Sequence, residues 1–177
     1  MSLGDSKTLA GSWQPILAAN LTVASGEVWG YSNGGVGGDT VAAAAAGITA
    51  RLAAFDATSP TSVLCNWGAN DVGSLPAEAT WKANYLTIID AISAKWTGAK
   101  VYLSRPWRRG YTLQSNTLAG WIGDIVAARP GVAYVADDER VWLENGDDGA
   151  VLTTDGIHYS AAGQAAKAAQ MLTVLGY

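Results

Sequence analysis

The only histidine of this 177-residue chain, His158, lies in "TTDGIHYS" (153–160), three residues after Asp155. A neutral imidazole accepts a proton near neutral pH, and a carboxylate one tight turn away can reach its Nδ1 and fix the tautomer whose other nitrogen is free. That free nitrogen can activate a hydroxyl, which is a poor nucleophile until a base takes its proton; "GDS" at 4–6 offers Ser6. Acyl transfer also places negative charge on the former carbonyl oxygen, so such a site needs fixed donors there. Three are available: the backbone N–H of Ser6, the backbone N–H of Gly38 in "SNGGVGGDT" (32–40), and the side-chain amide of Asn70 in "NWGAND" (66–71). Glycine has no Cβ and tolerates positive φ, so its backbone can approach a ligand. Asparagine donates without a charge that would compete with the imidazole. A lone histidine is more often a packing residue, and the bland readings of the others are a plain turn for the glycine run and a helix cap for Asn70; the company these residues keep favours chemistry.

The totals remove other function classes. A formal net charge of -4 gives no basic field for a phosphate backbone or an anionic membrane surface, so nucleic acid is not an expected partner. One histidine and one cysteine leave only carboxylates to hold a metal, and Asp137-Asp138-Glu139 and Asp147-Asp148 read as a solvated face. No metal and no cofactor is expected. Counted from Gly35 and Gly37, the last position of a dinucleotide fingerprint is Thr40, and no lysine follows to complete a phosphate loop. Cys65, alone in "SVLCNW", cannot make an internal disulfide and reads as a small core residue. The apolar run "VAAAAAGI" (41–48) is too short for a transmembrane segment, and no basic start precedes a long apolar stretch, so the chain as given is cytoplasmic by default.

Short β-rich runs at 27–32, 62–67, 100–104 and 131–137 alternate with longer, alanine-rich helical segments at 11–21, 40–55, 76–96, 113–129 and 160–175. That alternation predicts a three-layer α/β/α domain, a parallel sheet with helices on both faces. No linker divides the chain, so one domain over 1–177 is expected, with "LENGDDG" (143–149) as a surface loop. In open α/β sheets chemistry gathers outside the carboxyl ends of the strands, and the motifs above fall in those loops.

"GDS", "GGVGGDT", "GAND" and "DGIH", in that order over residues 4 to about 165, resemble the blocks of the SGNH hydrolases, the GDSL-type esterases and lipases. The resemblance implies a flavodoxin-like sheet of about five parallel strands. It also implies Ser6 as nucleophile, His158 as base with Asp155 behind it, an oxyanion hole of Ser6, Gly38 and Asn70, and no cofactor. The expected function is a serine esterase for short-chain esters, such as acetyl esters of carbohydrates, because so compact a chain leaves little sequence for a lid. A lysophospholipase or thioesterase is an alternative within the family. A catalytically idle carbohydrate-binding or tail-assembly module on the same fold is an alternative outside enzymology. "RPWRRG" sets Arg105, Arg108 and Arg109 around Trp107. Trp107, Arg108 and Tyr159 are candidates to line the substrate, although a solvated loop suits the arginines, and Trp67 reads as core. One departure stands out: only Met1-Ser2-Leu3 precede "GDS", where the family has a full apolar strand, so the first strand is expected to be truncated or unusually short.

Overall fold

The structure, a computed structural model, describes residues 1–55, 59–144 and 151–177. Five parallel strands, β1 (Ser2–Gly4), β2 (Asn33–Gly35), β3 (Ser62–Asn66), β4 (Lys100–Arg105) and β5 (Ala133–Asp138), form one sheet in the order β2-β1-β3-β4-β5. Among the described residues seven helices accompany them: α1 (Ser6–Leu9), α2 (Trp13–Ser25), α3 (Val41–Ala53), α4 (Glu78–Lys95), α5 (Thr112–Ala127), α6 (Glu139–Glu144) and α7 (Ala161–Val174). The three-layer α/β/α, flavodoxin-like arrangement expected from the sequence is present.

The two faces follow from the period of two along each strand. Leu3, Val63, Cys65, Val101 and Leu103 point into a core shared with α3, α4 and α5. Leu64, Tyr102 and Ala136 point the other way, onto α2 and α7. Because both faces are covered, the strands carry near-continuous apolar runs, which is why three of them were legible. Trp67 and Cys65 are fully buried in the first core, as expected.

The first strand is three residues long, yet it lies between two neighbours: Ser2, Leu3 and Gly4 pair with Asn33, Gly34 and Gly35 on one side and with Leu64, Cys65 and Asn66 on the other. This short strand also displaces β2 from its expected place. The run at 27–32 is not a strand; β2 is the polar, glycine-rich Asn33–Gly35, and Val28 is 95% exposed. The cause is register. Ser32 O already accepts from Ser2 N, so residues upstream of it have no strand to pair with. Close approach decides the rest: a Cβ on Gly35 would sit 2.2 Å from Leu9 N, so only glycine lets α1 pack onto this strand.

The acidic run at 137–139 departs most from expectation. It is not a solvated face, since Asp137 and Glu139 are buried and Asp138 is ion-paired with Arg105 and Arg140. Their partners come from far along the chain. Lys167 Nζ lies 2.7 Å from Asp137 Oδ1 and 3.3 Å from Glu139 Oε1, and Lys7 Nζ lies 2.6 Å from Glu139 Oε2. Leu143, placed by sequence in a surface loop, is buried on α6; the rest of that loop from residue 145, with Asp147 and Asp148, lies outside the described residues.

Candidate active site

In a 2-1-3-4-5 sheet the chain leaves β1 in one direction and β3 in the other, opening a crevice between their carboxyl ends. Ser6 stands at that point. Asp5 N donates to Asn66 O at 3.1 Å, fixing the turn to β3, and Asp5 Oδ1 caps α1 by accepting from Lys7 N at 3.0 Å. Burial pushes the Asp5 carboxyl up to about 6 against the opposing pull of Lys7.

His158 arrives from the other end of the chain, on a loop closed by a bridge between Thr153 and Tyr159 and by Thr154 N donating to His158 O at 2.8 Å. Its Nε2 is 2.9 Å from Ser6 Oγ and its Nδ1 is 2.6 Å from Asp155 Oδ2. Asp155 Oδ1 accepts from the backbone N–H of Ile157 at 2.9 Å and of His158 at 2.8 Å. Burial opposes its ionisation, but these bonds and the imidazole outweigh it and hold the Asp155 carboxyl down at about 2. Ser6, His158 and Asp155, singled out by residue type alone, are therefore joined in one hydrogen-bonded line.

Two further loops flank Ser6. Val36 N donates to Gly4 O at 2.9 Å, seating the glycine block beside the end of β1, and Gly38 holds φ at 72°. Asn70 Nδ2 donates to Asp39 O at 2.9 Å, which ties the asparagine loop to the residue after Gly38. Asp39 is itself gripped by Arg51 and by Trp67 Nε1 at 2.8 Å, while Asp71 Oδ2 accepts from Val41 N at 3.2 Å. The two loops are thus pinned to each other at several points. Asn70 caps no helix, because α4 starts at Glu78 with Ala77 at its N-cap.

The residues expected to line a substrate are placed differently. Trp107 and Tyr159 are buried: Trp107 O accepts from Lys7 Nζ at 2.8 Å, and the Tyr159 hydroxyl donates to Glu139 Oε1. Both residues are thus turned inward, away from solvent. Arg108 stacks on the Tyr111 ring at 4.9 Å, and Arg109 is exposed, with its Nη2 donating to Thr153 Oγ1 at 3.1 Å beside the histidine loop. Sequence reading missed Lys7, Glu139 and Lys167. A signal for Lys167 exists: Gly163, Gln164, Lys167, Ala168 and Met171 form the buried stripe of α7, so this lysine sits where an apolar residue belongs. Among the described residues no group of three His, Cys, Asp or Glu could hold a metal ion, and no helix is long and apolar enough to cross a membrane.

This sheet order, with a serine, a histidine and an aspartate in line at its carboxyl edge, is the architecture of the SGNH hydrolases. The chain belongs to the GDSL-like lipase/acylhydrolase family, whose family model matches residues 2–166. Solved structures agree in fold. TesA superposes with a TM-score of 0.79 at 23% identity, over 99% of this chain and 96% of that one. A lipase/acylhydrolase from Enterococcus faecalis gives 0.77 at 22% identity, over 97% and 92%. An acetyl esterase mutant with acetate ion gives 0.77 at 19% identity, over 99% and 94%. No curated protein matches the chain by sequence.

Proposed function

We propose that the protein is a serine esterase that hydrolyses short-chain carboxylic esters, such as acetyl esters of carbohydrates, through an acyl-enzyme. The observation that carries this reading is the line of hydrogen bonds from Asp155 through His158 to Ser6. His158 Nε2 takes the proton as Ser6 Oγ attacks the ester carbonyl, then returns it to the departing alcohol; the imidazolium formed in between is stabilised by Asp155, which stays ionised. Water then repeats the sequence on the acyl-enzyme. The backbone N–H groups of Ser6 and Gly38 and the Asn70 amide meet the oxyanion. A small acyl group suits the open setting: Leu9 and Val36, on the segments that carry Ser6 and Gly38, are both exposed. A fluorophosphonate probe tests the reading, since only an activated serine labels covalently; labelling lost in Ser6→Ala is expected, and an unlabelled native protein would favour an idle module. A series of p-nitrophenyl esters of graded length, beside acetylated sugars, then fixes the acyl and alcohol preferences.

Acid should switch the enzyme off through the imidazole. With the Asp155 carboxyl held at about 2, that group stays charged over most of the acid range, and the Asp5 carboxyl, raised to about 6, is the other group beside Ser6 that protonates there, so a single-proton fall in kcat/KM above about pH 4 that persists in Asp5→Asn belongs to a histidine base. A rate that stays flat from about pH 8 to about pH 4, with chemistry limiting, would count against this mechanism.

Asn70 separates an oxyanion donor from a purely structural residue. Asn70→Ala is expected to lower kcat by about 10² to 10³, or roughly 3 to 4 kcal/mol, with little change in KM, because the donor is aimed at charge present only in the transition state. Asn70→Asp should be at least as slow. It keeps the shape but turns an acceptor-only carboxylate toward the oxyanion and toward Asp39 O. Near-normal kcat in Asn70→Asp would remove Asn70 from the oxyanion hole.

A further inference from the structure

Ser6 and His158 are 152 positions apart in the chain, and their reacting atoms must be held 2.9 Å apart. Among the described residues no backbone hydrogen bond joins residues 4–9 to residues 151–160. Something else must set the distance. Each reacting residue is followed immediately by a buried polar one: Lys7 after Ser6, and Tyr159 after His158. One residue turns outward to the crevice while the next turns into the protein, as a helical turn and an extended strand both allow.

Both inward residues end on the same carboxylate. Glu139, fully buried at the start of α6, accepts on Oε2 from Lys7 Nζ at 2.6 Å and from Trp107 N at 3.2 Å. Its Oε1 accepts from the Tyr159 hydroxyl and from Lys167 Nζ at 3.3 Å. The Tyr159 oxygen accepts in turn from Asn66 Nδ2 at 3.2 Å, reaching the strand whose end anchors Asp5. Lys7 Nζ also lies 5.4 Å over the Tyr159 ring. A carboxylate with four donors has fixed position and orientation, and it is charge-balanced here: Lys7 and Lys167 face Glu139 and Asp137. Burial alone would raise the Glu139 carboxyl, but the two lysines hold it down at about 2.

We propose that Glu139 is a positioning residue for the hydrolytic reaction, clamping the segment that bears Ser6 to the segment that bears His158 through Lys7 and Tyr159. The inference rests on the serine esterase reading. It assigns a role to three residues that touch no substrate and sit behind the reacting pair. Reach matters as much as charge, because the two carboxylate oxygens serve opposite segments.

Three variants test it by fluorophosphonate labelling rate and by kcat and KM on p-nitrophenyl acetate, with circular dichroism to confirm folding. Glu139→Gln keeps the size but replaces one acceptor oxygen by a donor. It should slow labelling and kcat together by about 10- to 100-fold, the effect of small misplacement of reacting groups, with KM little changed. Glu139→Asp keeps the charge but not the reach, and should remain slow. Tyr159→Phe removes a single hydroxyl, leaves the Lys7–Glu139 pair intact, and should lower kcat about 10-fold. A merely structural role predicts a lower melting temperature with native kcat and labelling rate in the folded protein; that result in Glu139→Gln overturns the proposal. Should Glu139→Gln not fold, native kcat in Tyr159→Phe overturns it instead, and native kcat in Glu139→Asp does so by assigning charge rather than reach. Failure of the unmodified protein to label removes the esterase reading and the clamp with it, whereas a labelling native protein beside an equally fast Tyr159→Phe removes the clamp alone.

Discussion

Ser6→Ala and His158→Ala are each expected, on the proposed serine esterase reading, to lower ester turnover by about 10⁶, because a nucleophile and its base act as one unit. The fold should survive both. Ser6 Oγ bonds to His158 Nε2, and both residues face the crevice only partly buried, so neither truncation leaves a charge stranded in the core. The double variant should be no slower than the slower single one by more than a small factor. Circular dichroism and thermal melting establish the fold, and steady-state hydrolysis gives the rates; a further large loss in the double variant would mean that the two residues act independently.

The second large effect is on stability. Lys167→Met places an apolar side chain of similar length on the buried stripe of α7, yet it should destabilise by about 3 to 5 kcal/mol. The lysine Nζ touches both Asp137 oxygens, at 2.7 and 2.9 Å, Ser104 Oγ at 3.0 Å and Glu139 Oε1 at 3.3 Å. Its loss leaves Asp137 in the interior with only Ser104 and Trp142 as donors among the described residues. The cost arises from the uncompensated charge rather than from the net value of the pair. Lys167→Met combined with Asp137→Asn should therefore be more stable than the sum of the two single effects. Urea denaturation measures this; a Lys167→Met cost below about 1 kcal/mol would show that Asp137 is readily neutralised in place.

The sequence disclosed what is local and concealed what is assembled. β3, β4 and β5 are visible as apolar runs because a doubly covered strand needs apolar residues on both faces. β2 is invisible because Asn33-Gly34-Gly35 has almost no strand preference; it pairs because β1 is there and α1 presses on Gly35. α1 and α6, four and six residues long, are too short for a helical period to show. In the site, the type and order of Ser6, Asn70, Asp155 and His158 were enough to bring them forward, since their chemistry belongs to the side chains themselves. Glu139 reads as solvated in the sequence because its partners Lys7 and Lys167 lie 132 and 28 positions away. Charge pairing across the sheet leaves no mark on local composition. Trp107 stands out in the sequence by its arginine neighbours, whereas in the structure its backbone partners Lys7 and Glu139.

The lone thiol, buried on β3 between two other strands, gives the molecule a built-in clock. The thiolate is the reactive form, and burial pushes the Cys65 thiol well up, so an alkylating reagent meets almost no reactive sulfur in the native state. Modification must wait for the centre of the sheet to come apart. Its rate is then the intrinsic thiol rate multiplied by the fraction of molecules open at any moment, which for a domain of ordinary stability is about 10⁻³ or less. Lys167→Met, at about 3 kcal/mol, should speed that reaction roughly 100-fold. Opening of the whole sheet can thus be timed in the unlabelled protein by mass, one alkyl group per chain, under conditions where most molecules remain folded.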